Sequence, residues 1–258
     1  NAQLAGEMYA QQIRTPTELF YRIHVKILRN CASTDDFPKN IFIINNDDPA
    51  NQSPVSLRLT TDSIGTTTNG FNDPCKPLLF TTDPCMGIYY MHADFTPGLN
   101  KNGYRAIYKS CCRDYDNILL DPRAEKAAVA GMVLTATMKP VLPLFDNSNA
   151  YFNEDSVFVT CKGQPFSFQL TTTDPDDDSV AYRFANARSY GYHYEGLVPT
   201  LIIHNYPPYP FIFYQSPYDV PLPMGEVVEI NSKTGEITGT INKTGKYLLT
   251  VEVPEYRN

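Results

Sequence analysis

The stretch FYRIHVKILRNC, residues 20–31, alternates apolar and polar residues with a period of two. Tyr21, Ile23, Val25 and Ile27 fall on one side; Arg22, His24 and Lys26 fall on the other. Successive side chains of an extended backbone point to opposite faces, so this register reads as a half-buried strand. The pattern recurs in PVSLRLT, where Val55, Leu57 and Leu59 are expected inward, and in GYRAIYKSCC, where Tyr104, Ala106 and Tyr108 share a face. GMVLTATMKP reads as a further strand. Turn-rich pieces such as NNDDPANQSP, TTTNGFNDPC and TPGLNKNG separate these runs, and only DPRAEKAAVAG reads as a short helix. Alternation resumes in SVFVT, PFSFQLT, VAYRF, EVVEI and KYLLTVEV. NSKTGEITGT reads as a hairpin-like turn pair, with Gly235 and Gly239 free to take positive φ. Short, evenly spaced strands with turn signals between them predict an all-β chain built from β-sandwiches. KPVLPLFDNSNAYF, stiffened by Pro140 and Pro143, reads as a boundary. The expected organisation is a β-sandwich domain over 1–142 and a second over 143–258. The segment from Arg188 to Pro223, dense in Tyr and Pro, forms an insertion in the second.

Composition narrows the class of partner. Hydrophobic residues make up 42% of the 258 and charged residues 19%, enough to bury a core. The net charge is -7 and no basic cluster stands out, which argues against nucleic acid. No apolar run approaches the length of a membrane-spanning helix. The chain begins with neither Met nor a signal-like segment, as expected of a processed exported protein. The six cysteines, Cys31, Cys75, Cys85, Cys111, Cys112 and Cys161, contain no CxxC pair, and the four His are scattered, so zinc is a poor reading. An even number in an acidic, strand-rich chain fits disulfides and an oxidising compartment, with buried free thiols as the alternative. Cys75 and Cys85 are close enough to staple one loop. The adjacent Cys111 and Cys112 are expected to reach different partners, with Cys31 and Cys161 the remaining candidates.

No arrangement for catalysis stands out. GxSxG, GxGxxG and GxxxxGK are all absent, and no local signature surrounds a Cys or His. The acidic run TTTDPDDDSVAYRF places its aspartates on one loop, where they cannot flank a glycosidic bond from both sides. Asp174, Asp176 and Asp178, spaced i, i+2, i+4, suit a calcium loop, although no helix follows as in an EF-hand; a solvated acidic turn is the alternative. In the insertion, Tyr190, Tyr192, Tyr194, Tyr206 and Tyr209 could form a stacking platform for sugar rings or a protein interface, or simply pack over one end of the sandwich.

Two resemblances extend this reading. TTDPDDDSVAYRF resembles the DPDGDSLxY loop of cadherin-like and Ig-like domains in bacterial adhesins, and INSKTGEITGTINKTGKYLLTVEV resembles their closing segment. DNSNAYF resembles the linker between consecutive cadherin-type domains. The resemblance implies an Ig-like or cadherin-like second domain and places Asp146, Asn147 and Asn149 with Asp174 and Asp176 around an interdomain Ca²⁺. In this chain Asp177 stands where Gly is usual, Ala150 where Pro is usual, and no Glu is matched to the one completing such a site. The succession GEMYAQQ, FYRIHVKILRNC, YRAIYKSCCRDYDNI, VTCKGQPFSFQL and VEVPEYR resembles the N-terminal region of secreted, adhesin-like surface proteins of Bacteroidota, tied to gliding motility and type IX secretion. It covers nearly the whole chain. It implies location on the outer-membrane exterior, a protein or glycan partner or the secretion and motility machinery, and O-glycosylation at Asp-Ser-apolar sites. Ser63, Ser156 and Ser179 fit that pattern.

Overall fold

The computed structural model describes residues 3–31, 38–48, 54–67, 86–113, 130–140, 146–154, 157–189, 192–195, 200–203, 209, 211–212, 214, 216–220, 222–225 and 228–257. Its first half contains β1 (Gln3–Arg14), β2 (Leu19–Asn30), β3 (Asn40–Asn45), β4 (Val55–Arg58), β5 (Thr60–Thr67), β6 (Met86–Phe95), β7 (Tyr104–Arg113) and β8 (Ala130–Met138). These make two antiparallel four-stranded sheets, ordered β1-β2-β6-β5 and β4-β3-β7-β8. Ile23, Val25 and Ile27 of β2 meet Ile41 and Ile43 of β3 and Ala106 and Tyr108 of β7 in one buried cluster. The alternation of FYRIHVKILRNC thus aims one face into a sandwich core. Each such fully buried aliphatic side chain contributes about 1.5–3 kcal/mol relative to exposure. Tyr21 is fully buried, and its hydroxyl lies 2.9 Å from the Lys139 carbonyl and 3.1 Å from Gln12 Oε1, so its polar end is satisfied.

Departures from the expected pattern have local causes. Val55 is 53% exposed because β4 is a sheet edge; Leu59, just beyond the strand, is the buried member of that run. The strand β6, MGIYYMHADF, has no clean alternation because its far face is covered too: Met86 and Ile88 pack with Leu28 against Val157 and Val159. Those valines come from SVFVT, which forms no ladder at 157–160. The short helix expected over DPRAEKAAVAG falls outside the described residues except for Ala130 and Gly131, which open β8.

The second half is assembled from shorter pieces: β9 (Tyr151–Phe152), β10 (Pro165–Gln169), β11 (Thr172–Thr173), β12 (Ser179–Val180), β13 (Arg183–Phe184), β14 (Tyr192–Glu195), β15 (Thr200–Ile203), β16 (Val228–Ile230), β17 (Glu236–Thr240), β18 (Val251–Glu252) and β19 (Glu255–Tyr256). β10, β17 and β16 form a three-stranded sheet, and the rest pair as β9 with β11, β12 with β19, β13 with β18 and β14 with β15. Leu170, Tyr182, Met224, Val228, Ile237 and Ile241 form its buried cluster. Gly235 takes φ 75°, as its turn requires, and a Cβ there would lie 2.4 Å from the Leu170 carbonyl oxygen. Gly239 instead sits inside β17, opposite Phe166 and Val228. The chain is all-β: among the described residues there is no helix, and hence none long and apolar enough to cross a membrane.

The two halves are packed together. Val157 and Val159 cover the outer face of the β1-β2-β6-β5 sheet, while Tyr209 lies on the outer face of the other sheet with Ile107, Val133, Phe42 and Ile44. Cys111 and Cys112 sit where the β7–β8 register slips between Ser110 and Arg113, two residues facing Gly131 alone. Cys31 and Cys161 are disulfide-bonded. Cys75 and Cys85 lie outside the described residues. Every cysteine other than Cys161 lies between positions 31 and 112, so the Cys161 bridge ties the second half to the first. A bridge closing about fifty residues or more removes about 4 kcal/mol of unfolded-chain entropy in the loop-closure treatment. Cys161→Ser is therefore expected to lower the unfolding free energy by about 2–4 kcal/mol in a urea titration under non-reducing conditions. It is also expected to raise the accessibility of the other cysteine of that bridge to a thiol reagent.

Candidate functional site

The acidic run folds into a turn that its own side chains build. The Asp174 carbonyl accepts the Asp177 N–H at 3.3 Å, with Pro175 at the position that favours its fixed φ. Asp174 Oδ1 accepts two further main-chain N–H groups, from Asp176 at 2.9 Å and Asp178 at 3.1 Å. Asp177 closes the turn at φ 59°, in the left-handed region. This is why glycine is usual at that position in the loops this one resembles, and Asp is among the few side chains that tolerate it.

Past the turn the backbone enters β12, which pairs with β19 so that Val180 faces Glu255 and Ser179 faces Tyr256. The pairing carries Glu255 to the mouth of the turn from the far end of the second half. One oxygen from each of Asp174, Asp178 and Glu255 lies within 4.8 Å of the other two. The Asp178 side chain is only 5% exposed. Its Oδ1 accepts from Arg257 Nε at 2.8 Å, while its Oδ2 and the Oδ2 of Asp174 are buried without a hydrogen-bond partner. Glu255 Oε1 accepts the Ala150 N–H at 2.6 Å. Burial pushes the Glu255 carboxyl above its ordinary range; the Ala150 N–H opposes this, Asp174 adds to it, Lys139 opposes it and Asp178 adds to it. Buried carboxylate oxygens without a partner are costly, and a hard cation would satisfy them. Oxygen donors at this spacing suit Ca²⁺, whose ligands stand about 2.3–2.6 Å from the ion and so up to about 5 Å from each other.

The expected ligand set is only partly brought together. Asp174 and Asp178 belong to the cluster, but Asp176 turns to the linker: its Oδ2 accepts the Ser148 N–H at 2.5 Å and lies 3.7 Å from Arg257. Asp146 is engaged by Arg14 at 2.8 Å and by Gln12 at 2.9 Å. Asn147 is buried and accepts from Lys139 Nζ at 2.7 Å. Asn149 accepts the Ala10 N–H at 3.0 Å and donates to the Thr137 carbonyl at 3.0 Å. These linker side chains hold the first sandwich. Glu255, which local spacing around the aspartates does not reveal, takes the place expected for them. Its signal lay in the closing VEVPEYR, where an acidic residue follows a strand run and Arg257 is two residues on.

The remaining candidates scatter. Tyr209 is 4% exposed and packs against the first half, and its carbonyl accepts from Arg188, so its ring offers no stacking face. Tyr192 and Tyr194 lie on β14, and Tyr190 and Tyr206 lie outside the described residues. Ser63 is exposed on β5, beside the irregularity at Asp62. Ser179 is exposed on β12 and Ser156 lies outside the described residues. No family model, curated protein or solved structure matches the chain.

The turn makes a prediction at Asp177. Asp177→Val is expected to lose about 1–2 kcal/mol in chemical denaturation, because a β-branched residue is strained at positive φ, whereas Asp177→Gly is expected to leave stability unchanged or raise it.

Proposed function

We propose that the chain is a non-catalytic module of an exported, adhesin-like cell-surface protein, a two-domain unit held rigid by its junction, its disulfides and a Ca²⁺ ion. The observation that carries the metal reading is the pair of buried, unpartnered oxygens on Asp174 and Asp178 beside Glu255. A cation there would join the acidic turn, β19 and, through the Ala150 N–H on Glu255, the linker. The role of such an ion is mechanical: it removes loop freedom and fixes the orientation of the halves. Three features support an exported origin: the succession of motifs that resembles Bacteroidota surface proteins, the disulfide state of Cys31 and Cys161, and the acidic charge balance. Adhesion, gliding motility or surface assembly would use the exposed faces of this unit against a protein, a glycan or the secretion machinery.

Thermal unfolding tests the metal. Ca²⁺ at about a hundredfold over its Kd is expected to add about 2.7 kcal/mol, a rise in Tm of about 5–10 °C for a chain of this size, reversed by EDTA. Glu255→Gln is expected to abolish most of the rise. A melting curve unmoved by Ca²⁺ would sink the metal reading. Location is tested separately, by labelling intact source cells with a membrane-impermeant amine reagent. This protein is expected among the labelled set, and its protection until the cells are broken would count against surface display.

A further inference from the structure

The four histidines are scattered along the sequence, but strand register brings two of them together. His24 on β2 stands directly opposite His92 on β6. Both belong to the outer face of their sheet, because Ile23, Val25, Met91 and Ala93 take the core face. Side chains paired in this way have Cβ atoms about 4.5–5.5 Å apart, so two imidazoles can reach one ion between them. Each ring is held by the strand beyond it. His92 Nδ1 lies 2.5 Å from Asp62 Oδ1, at the irregularity of β5. A carboxylate only accepts, so Nδ1 carries the proton and Nε2 of the neutral ring keeps the lone pair. On the other side His24 stacks on Tyr9 at 4.6 Å, and Tyr9 stacks on Tyr151 of β9 at 4.9 Å. Asp62, His92, His24, Tyr9 and Tyr151 thus form one row across the sheet.

His24 Nε2 is buried without a hydrogen-bond partner. A buried polar nitrogen in that state is costly unless something outside the chain satisfies it. Burial holds the His24 imidazole below its ordinary value, and His92 and Arg22 add to this against Asp62 and Asp94. The ring is therefore kept in the neutral form that a metal requires. We propose that His24 and His92 are the ligands of a divalent transition metal of the zinc, copper or nickel class, with Asp62 as the residue that positions His92. Imidazole nitrogens suit these metals, whereas Ca²⁺ takes oxygen. Asp62 acts through His92, fixing its tautomer and ring orientation, as in the carboxylate–histidine–metal arrangement. Two protein ligands leave the remaining positions to water, on a face where the His92 and Asp62 side chains are 22% and 39% exposed. The ligands lie in the first sandwich and are nitrogen donors, so the site is independent of the acidic turn.

The test adds Zn²⁺ to the full chain at about pH 7.5, where imidazole is neutral, in excess Ca²⁺ that occupies the acidic turn. One equivalent is expected to shift the ring ¹⁵N resonances of His24 and His92 together, at Nε2 in His92, and to leave the other two histidines in place. In calorimetry Asp62→Asn is expected to weaken Zn²⁺ binding by about 10–100-fold, and His24→Ala and His92→Ala by at least as much. Asp62→Asn is also expected to change the His92 ¹⁵N pattern before any metal is added, because an amide no longer dictates which nitrogen holds the proton. Zn²⁺ that moves neither ring, moves only one, or binds His24→Ala or His92→Ala as tightly as the wild type would overturn the site. Unchanged affinity in Asp62→Asn would overturn the positioning role. If a variant does not fold, the paired shifts in the wild type decide.

Discussion

β1 is the outermost strand of its sheet, and the linker after residue 145 is fastened to it. Asn149 N–H donates to the Ala10 carbonyl while the Ala10 N–H donates to the Asn149 side chain. The Gln12 N–H donates to Ser148 Oγ, and Gln12 Oε1 accepts the Asn147 N–H. Short polar side chains thus mimic a neighbouring strand and satisfy the row of groups that an edge leaves open. Everything further along depends on this seam. Ser148 positions Asp176, Ala150 positions Glu255, and Phe152 reaches Glu7. DNSN works as a connector because each residue carries a hydrogen-bonding side chain too short to wander.

The crowding of aspartates has a divided explanation. Asp174 spends one oxygen folding its own turn, Asp176 anchors the linker and Asp177 occupies a backbone conformation that most residues avoid. Arg257 is the cation supplied by the chain itself. It reaches Asp178, stands near Asp176 and donates to the Asp146 carbonyl at 3.0 Å. That compensates one side of the cluster and leaves one buried oxygen each of Asp174 and Asp178 without a hydrogen-bond partner, in the group they form with Glu255. Close spacing in sequence therefore produced different tasks, because successive residues of a turn point in different directions.

Much of the first sandwich was legible. The alternation of β2 and the Tyr104, Ala106, Tyr108 face of β7 reported a core that one side of each strand enters. Legibility failed where both faces are covered, as in β6, and in β1, whose polar Glu7 and Gln12 are buried by contacts more than a hundred residues distant. The second half was harder to read in detail because three of its ladders, β9 with β11, β12 with β19 and β13 with β18, are only two residues long, too short for periodicity to register. In the site, an acidic turn was one of the two readings of the aspartate run, and Asp177 stood where Gly is usual in the loops it resembles. Glu255 was not legible, because it arrives through a pairing across some seventy-five residues that no local spacing encodes.

The burial of Tyr209 changes what the first sandwich is as an object. Its inner faces meet each other, but its outer faces carry Leu28, Met86 and Ile88 on one side and Phe42, Ile107 and Val133 on the other, each sealed by the second half. A polypeptide severed at residue 142 would hold its own core yet present two oily patches to water, the condition under which sheets stick to one another. Tyr209 on one side and Val157 and Val159 on the other thus cover apolar surface of the first sandwich, which makes the two halves mutually dependent for more than their orientation.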